Sequence, residues 1–218
     1  MKWTKDEIRS GMLLYAITDR SWLKEGQTIP QVCRGVLENG ATFLQIREKD
    51  LDADAFEAEA KEVQTLCREY HVPCIVNDSV EIALDMGADG VHVGQSDIKG
   101  RDIRAMIGPD MILGVSTATV EEAKIAEAAG ADYLGVGAVF GTSTKKNARN
   151  LSPEKLREIS EAVSIPVVAI GGISRENIME LSGCHVDGVA VVSAIFAADD
   201  PAQATAELKA LAEKMVRA

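Results

Sequence analysis

Eight short runs rich in Val, Ile and Leu recur along the chain, at 13–18, 42–47, 73–77, 90–94, 111–116, 133–139, 166–170 and 188–193. The segments between them are amphipathic. In one of these segments Phe56, Ala60, Val63, Cys67 and Tyr70 repeat at a spacing of three to four, which places a single apolar stripe on one helical face. The runs themselves are nearly continuous in apolar residues, the pattern of strands covered on the outside by helices in a parallel sheet. A strand then a helix is therefore expected throughout. A doubly wound open sheet also reads this way, but the count of eight and a length of 218 residues, about 27 per unit, favour closure. The expected fold is α/β, a (β/α)8 TIM barrel forming a single domain over residues 1–218.

A weak echo runs through the pattern. Gly-Ala-Asp precedes strands at 87–89 and 130–132, with Gly40-Ala41 and Val186-Asp187-Gly188 as looser versions, and each marks a helix end where Gly supplies a left-handed cap. The last helix, through Ala204, Leu208, Leu211 and Met215, is expected to seal the outside of the barrel. Helix signals around residues 4–9 suggest a short N-terminal helix covering one end.

Composition narrows the class. Asp and Glu outnumber Lys and Arg by 34 to 23, and the net charge of −11 argues against a nucleic-acid or anionic-membrane surface. No run of about 18 apolar residues appears and the N-terminus turns acidic early, so a soluble cytoplasmic protein is expected. Cys33, Cys67, Cys74 and Cys184 share no CxxC spacing and read as buried, reduced thiols. Met86, Met106 and Met179 read as helix packing, and His71 and His185 as incidental loop residues.

In a barrel of this kind the loops after the strands build the active site. After the second strand, alternation sends Gln45, Arg47 and Lys49 to one side, with Ile46 and Glu48 between them; a solvated charged loop is the plain alternative, but an inward Arg at a barrel mouth implies an anionic ligand. Asn77-Asp78 and Asp97 end the third and fourth strands. Each carboxylate either caps a helix or joins a shared Mg²⁺ site, an ion that takes one or two carboxylates with phosphate oxygens and water. His92 lies within the fourth strand and reads as a hydrogen-bonded barrel residue, with a ligand or acid/base role as the alternative. The polar stretch 140–150 after the sixth strand, with three hydroxyls and three cations, reads as a lid whose Lys145 closes on a leaving anion. Gly171-Gly172 after the seventh strand and Val192-Ser193 after the eighth offer backbone amides as a phosphate cup.

The motifs Gln-Ile-Arg-Glu-Lys at 45–49, Val-Asn-Asp at 76–78, His-Val-Gly-Gln-Ser-Asp at 92–97, Gly-Val-Ser at 114–116, Thr-Ser-Thr-Lys at 142–145, Gly-Gly-Ile at 171–173 and Val-Ser at 192–193 together resemble the thiamine phosphate synthase family over nearly the whole chain. The resemblance implies a transferase that joins 4-amino-2-methyl-5-hydroxymethylpyrimidine diphosphate to 4-methyl-5-(2-phosphooxyethyl)thiazole and releases pyrophosphate. It implies that Gln45, Ile46, Arg47, Glu48, Lys49, Asn77, Ser116 and Lys145 bind the pyrimidine diphosphate. Thr142, Ser143, Thr144, Gly172, Val192 and Ser193 would then hold the thiazole phosphate, and Asp78 and Asp97 would hold Mg²⁺. Lys145, Arg47, Lys49 and Ser116 are the residues expected to act catalytically. Ala138 and Gly141 stand where prolines are expected, and Val192 where a larger aliphatic residue is. Partners other than the two small-molecule substrates are not expected, apart from a homo-oligomer. The competing readings are a thiazole tautomerase-like isomerase, which has no need of the diphosphate cluster, and a non-catalytic phosphate-binding barrel.

Overall fold

The computed structural model describes residues 2–141 and 151–218. Eight parallel strands close into a barrel in sequence order: β1 (Leu14–Ile17), β2 (Phe43–Ile46), β3 (Cys74–Asn77), β4 (Gly90–Val93), β5 (Ile112–Thr117), β6 (Tyr133–Gly137), β7 (Val167–Ile170) and β8 (Gly188–Val191). Pairing of β8 with β1 completes the ring. Each lies inside the run of apolar residues that foretells it, except that β5 extends one residue past its run to Thr117.

The helices are α1 (Lys5–Gly11), α2 (Ile29–Glu38), α3 (Ala53–Tyr70), α4 (Val80–Asp85), α5 (Ile103–Ile107), α6 (Val120–Ala128), α7 (Pro153–Glu161), α8 (Ser193–Phe196) and α9 (Pro201–Met215). The stripe on α3 is buried as expected, through Phe56, Ala60, Val63 and Cys67. The exception to strand-then-helix is the β7–β8 connection. It holds only the 3-10 turn Ile178–Leu181, because Asn177 ties the segment back by accepting from Ser174 N (2.8 Å) and donating to Gly172 O (2.9 Å). The methionines also depart from expectation. Met86 is buried, whereas Met106 and Met179 are exposed, since the short elements that carry them bury only Ile103 and Ile107, or Ile178 and Leu181. All four cysteines are buried and unpaired by disulfide.

Strand alternation divides the core in two. Outward residues such as Leu44, Ile46, Val76, Val91 and Val115 pack beneath the helices. Inward residues Tyr15, Ile17, Phe43, Ile75, Ile112, Tyr133, Val168 and Ala190 fill the barrel, and Ile8 of α1 and Met12 just after that helix join them. The N-terminal helix thus plugs the amino end of the barrel, started by a capping box in which Thr4 and Glu7 satisfy each other's backbone.

The Gly-Ala-Asp echo has a second meaning at that same end. Asp89 Oδ2 accepts from Cys74 N (3.0 Å), Asp132 Oδ2 from Leu113 N (2.8 Å) and Asp187 Oδ2 from Val167 N (2.9 Å), while Thr42 Oγ1 accepts from Leu14 N (2.8 Å). In every case the backbone N–H of the same residue donates back to the carbonyl of its partner, at 3.1, 2.8, 2.8 and 2.9 Å respectively. Each even-numbered strand is thereby clamped to the odd strand before it by two reciprocal bonds. Trp3 Nε1 and Arg9 Nη1 fasten the N-terminal segment to Asp89 (2.9 Å) and Asp187 (2.5 Å). No helix among the described residues is long and apolar enough to cross a membrane.

Candidate active site

With the amino end clamped and plugged, the carboxyl end of the barrel is the face left to the loops. Four expected residues converge there from β2 and β3. Gln45 is buried inside the barrel mouth, donating from Nε2 to the Tyr15 hydroxyl at 2.7 Å. Arg47 follows two residues on. Its backbone N–H donates to Thr18 Oγ1 (2.9 Å), the Thr18 hydroxyl donates back to Arg47 O (3.2 Å), and its guanidinium lies 3.4 Å from Asp19. Lys49 Nζ reaches Asp78 at the end of β3, at 2.8 Å. Both partners of that pair are substantially exposed, so it holds little energy of its own and both charges remain available to a ligand.

Asp78 has a left-handed backbone, φ 62°, a conformation that Asp tolerates better than most residues, and its N–H donates to His92 O at 2.8 Å. It does not cap α4. Ser79 does that, accepting from Ile82 N. Asp97 is not a helix cap either: Oδ2 accepts from Gly94 N (2.8 Å) and closes the turn after β4, while Asp102 caps α5. Asp78 and Asp97 therefore present carboxylate oxygens from neighbouring strand ends. No group of three or more His, Cys, Asp or Glu side chains arranged for a metal occurs among the described residues. An ion held here would have at most two protein carboxylates, a set of hard oxygen donors that fits Mg²⁺ and not zinc.

Two residues of the second-strand motif face elsewhere. The Ile46 side chain is fully buried between the sheet and the helices. The Glu48 carboxylate turns under its own loop: Oε2 accepts from Arg20 Nε (2.7 Å), and Oε1 accepts from the backbone N–H groups of Lys49 (2.6 Å), Asp50 (2.6 Å) and Leu51 (3.2 Å). Arg20 also reaches Glu59 on α3 at 2.6 Å. Burial pushes the Glu48 carboxyl up, but Arg20 and the three amides outweigh it and hold the group below the ordinary carboxylate range. Glu48 is thus the anchor of the loop that carries Arg47 and Lys49. Sequence reasoning passed over Arg20 and Glu59, whose separation from Glu48 along the chain leaves no local signal.

On the opposite side of the mouth, β7 runs into Gly171 and Gly172, at φ 102° and 66°. A Cβ on Gly172 would meet the Phe140 carbonyl oxygen at 2.7 Å, so only glycine allows the two loops to lie this close. Val192 precedes the short helix α8, whose first residue is Ser193. Among the described residues, the backbone N–H groups of Gly172, Ser193 and Ala194 donate to no protein acceptor. Thr142, Ser143, Thr144 and Lys145 lie outside the described residues.

Inside the barrel, Ser116 Oγ on β5 lies in hydrogen-bond contact with His92 Nε2 at 2.8 Å, and Gln95 Nε2 donates to the Ser116 carbonyl at 2.8 Å. His92 is a hydrogen-bonded barrel residue, as expected. Tyr15 and Tyr133, which a hydropathy pattern counts simply as strand apolars, join the same polar interior. Their inward parity with Gln45 and His92 was the available signal.

Residues 14–195 match the family described as thiamine monophosphate synthase. A thiamine-phosphate synthase of Clostridium tetani (strain Massachusetts / E88) is 45% identical over 195 residues, 89% of this chain and 93% of that one. That of Alkaliphilus oremlandii (strain OhILAs) is 47% identical over 197 residues, 90% and 94% of the two chains. Among solved structures, a thiamine phosphate pyrophosphorylase from Pyrococcus furiosus superposes with a TM-score of 0.87 at 41% identity, over 96% of this chain and 99% of that one. With likeness of this extent in sequence and in fold, this chain belongs to the thiamine monophosphate synthase family.

Proposed function

We propose that this protein condenses 4-amino-2-methyl-5-hydroxymethylpyrimidine diphosphate with 4-methyl-5-(2-phosphooxyethyl)thiazole to give thiamine phosphate and pyrophosphate. The observation that carries the reading is that one rim carries two unlike sets of groups suited to anions. Lys49 faces Asp78 across the β2–β3 edge, and Arg47 lies beside it with its guanidinium near Asp19, a charged set suited to a diphosphate with a divalent ion. The backbone donors of Gly172, Ser193 and Ala194 form an uncharged cup that suits a monophosphate. A thiazole tautomerase needs only the second, so the charged set favours the synthase.

Gln45, Arg47, Lys49, Asn77 and Ser116 are assigned to the pyrimidine diphosphate, and Gly172, Val192 and Ser193 to the thiazole phosphate. Thr142, Ser143 and Thr144 are assigned to the same phosphate, and Lys145 to the departing pyrophosphate. Ile46 and Glu48 are assigned to holding the second-strand loop, Glu48 through Arg20 and the loop amides. Asp78 and Asp97 would hold Mg²⁺, which when bound neutralises charge on the diphosphate.

The bond between the pyrimidine methylene carbon and the diphosphate oxygen breaks with both electrons leaving on pyrophosphate. The amino group of the ring shares the positive charge left on carbon, and the thiazole nitrogen then donates its lone pair to form the new C–N bond. No proton has to move and no side-chain nucleophile is needed. The residues act by aligning two substrates and by matching the charge that grows on the leaving group, effects that supply much of the rate in reactions of this kind. The test is direct. Purified protein given both substrates and Mg²⁺ should form thiamine phosphate and pyrophosphate in equal amounts; folded protein that forms neither would overturn the reading.

A further inference from the structure

A continuous hydrogen-bonded chain crosses the barrel interior beneath the mouth. Gln45 Nε2 donates to the Tyr15 hydroxyl (2.7 Å), which lies 2.7 Å from the Tyr133 hydroxyl; this in turn lies 2.9 Å from His92 Nδ1, and His92 Nε2 lies 2.8 Å from Ser116 Oγ. Its two ends, Gln45 and Ser116, are residues assigned above to the pyrimidine. Room has been made for its middle: a Cβ on Gly114 would strike both Tyr133 and His92, and one on Gly135 would meet His92 Cε1 at 3.1 Å. Edge-to-face packing of Tyr15 on Phe43, with centroids 4.8 Å apart, and of Phe43 on Tyr133 at 5.6 Å fixes both phenols.

Proton counting gives this chain a direction. Each phenol has one proton, and burial pushes both phenols far above the ordinary tyrosine range, so each keeps it. Tyr15 accepts from the Gln45 amide, so its own proton goes to Tyr133. Tyr133 therefore donates to His92 Nδ1. An imidazole whose Nδ1 accepts is the neutral Nε2–H tautomer, and that N–H donates to Ser116 Oγ. The Ser116 proton is then left to donate, and the Gln45 carbonyl is left to accept. With a neutral imidazole the alternative has the Gln45 amide turned over and every bond reversed.

Resting on the assignment of Gln45 and Ser116 to the pyrimidine, we propose that Tyr15, Tyr133 and His92 are positioning residues that set the hydrogen-bond polarity of the site, making it selective for an aminopyrimidine over the corresponding oxo-pyrimidine. An aminopyrimidine edge offers a donor, the amino group, beside an acceptor, the ring nitrogen. That is the complement of an accepting Gln45 and a donating Ser116. An oxo-pyrimidine offers the reverse, an acceptor beside a ring N–H, and can be matched only by inverting all five residues at once. Sites built to pair polar groups reject mismatched ones strongly, because the mismatch leaves buried groups unpaired.

The experiment compares kcat/KM for the amino and oxo forms of the pyrimidine diphosphate in wild type and Tyr133→Phe. The intrinsic reactivities of the two pyrimidines are the same in both enzymes and cancel in the ratio of ratios. Breaking the chain at its centre should lower the amino-over-oxo preference about tenfold or more, with KM for the thiazole phosphate unchanged; Tyr15→Phe should shift it the same way. A loss shared equally by both pyrimidines would make the chain a packing feature and overturn the proposal. A second arm needs no break in the chain. With His71→Asn and His185→Asn, both at left-handed positions that Asn accepts, His92 is the one remaining histidine. Its ¹⁵N spectrum in the free enzyme should show a protonated Nε2 and a bare Nδ1. A protonated Nδ1 would refute the polarity. Wild type that makes no thiamine phosphate from the amino substrate would count against the proposed reaction, and the tautomer measurement would still decide the direction of the chain.

Discussion

Replacing Glu48 by Gln keeps the shape of the side chain and removes its charge, which separates packing from electrostatics in the loop that carries Arg47 and Lys49. In the native loop Oε1 accepts from three backbone N–H groups and Oε2 from Arg20. An amide has one oxygen. Its better orientation keeps that oxygen on the three backbone donors and turns the NH₂ group toward Arg20, where donor faces donor. One hydrogen bond between charged groups is lost, a change of about 1.5–3 kcal/mol, and the other three weaken as their acceptor becomes neutral. The expected destabilisation at pH 7 is therefore about 2–4 kcal/mol. Because the Glu48 carboxyl is held below its ordinary value of 4.5 in the folded protein, this stabilisation is fully present above that value. It is lost as pH falls through the lower folded value. Urea unfolding at a series of pH values should show a gap between wild type and Glu48→Gln that is widest near neutrality and narrows in acid. Loosening of Arg47 and Lys49 should raise KM for the pyrimidine diphosphate more than KM for the thiazole phosphate. A variant within about 0.5 kcal/mol of wild type at pH 7, or a gap that widens in acid, would refute the assignment of Glu48 as the anchor.

At the proposed metal site, Asp78→Asn is the informative change, since Asn tolerates the left-handed backbone that Ala would strain; the Mg²⁺ concentration for half-maximal activity should rise about tenfold or more with an unchanged thermal melt. Gly172→Ala places a Cβ against the Phe140 carbonyl and should raise KM for the thiazole phosphate about tenfold with little change in KM for the pyrimidine, as steady-state kinetics would show. Asp89→Ala leaves the Cys74 N–H without its acceptor and should cost about 1–3 kcal/mol in urea unfolding while kcat stays at the wild-type level. The four cysteines should resist a thiol reagent until denaturant is added, because all are buried and burial raises the thiol pKa of Cys33 and Cys184.

Much of the fold and rim was readable because period two and period 3.6 are local signals. Eight apolar runs locate eight strands, and alternation puts Gln45, Arg47 and Lys49 on one side, whereas Asn77 follows from its place at a strand end and Ser116 from the family resemblance. Parity fails where the chain leaves the strand. Alternation separates Lys49 from Glu48, but only the fold of the loop shows that Glu48 turns under it onto Arg20 and the loop amides. The same limit hid Thr18 and Arg20, which meet their partners across some thirty residues of chain, at separations of 29 and 28. The aspartates before the even strands were visible as part of an echo, but their bonds to the preceding strand need the closed barrel. Tyr15 and Tyr133 were hidden by scoring tyrosine as apolar, which is correct for the ring and wrong for its hydroxyl.

The clamps at the amino end also divide the barrel unequally. β1 with β2, β3 with β4, β5 with β6 and β7 with β8 each begin with two reciprocal bonds. The seams between these pairs begin with one backbone bond each, Leu44 to Pro73, Ile112 to Asp89, Leu134 to Pro166 and Val189 to Leu13. The wall is thus assembled from four staves of two strands. Of the groups proposed for the thiazole phosphate, Gly172, Val192 and Ser193 belong to one stave, β7 with β8. The diphosphate site proposed above draws Arg47 and Lys49 from the first stave, Asp78 and Asp97 from the second and Ser116 from the third, so its ligand would bridge two seams that lack the side-chain clamp found within the staves. A ligand that spans such seams stabilises the closed wall by mass action. The pyrimidine diphosphate is therefore a hoop for the barrel as well as a substrate.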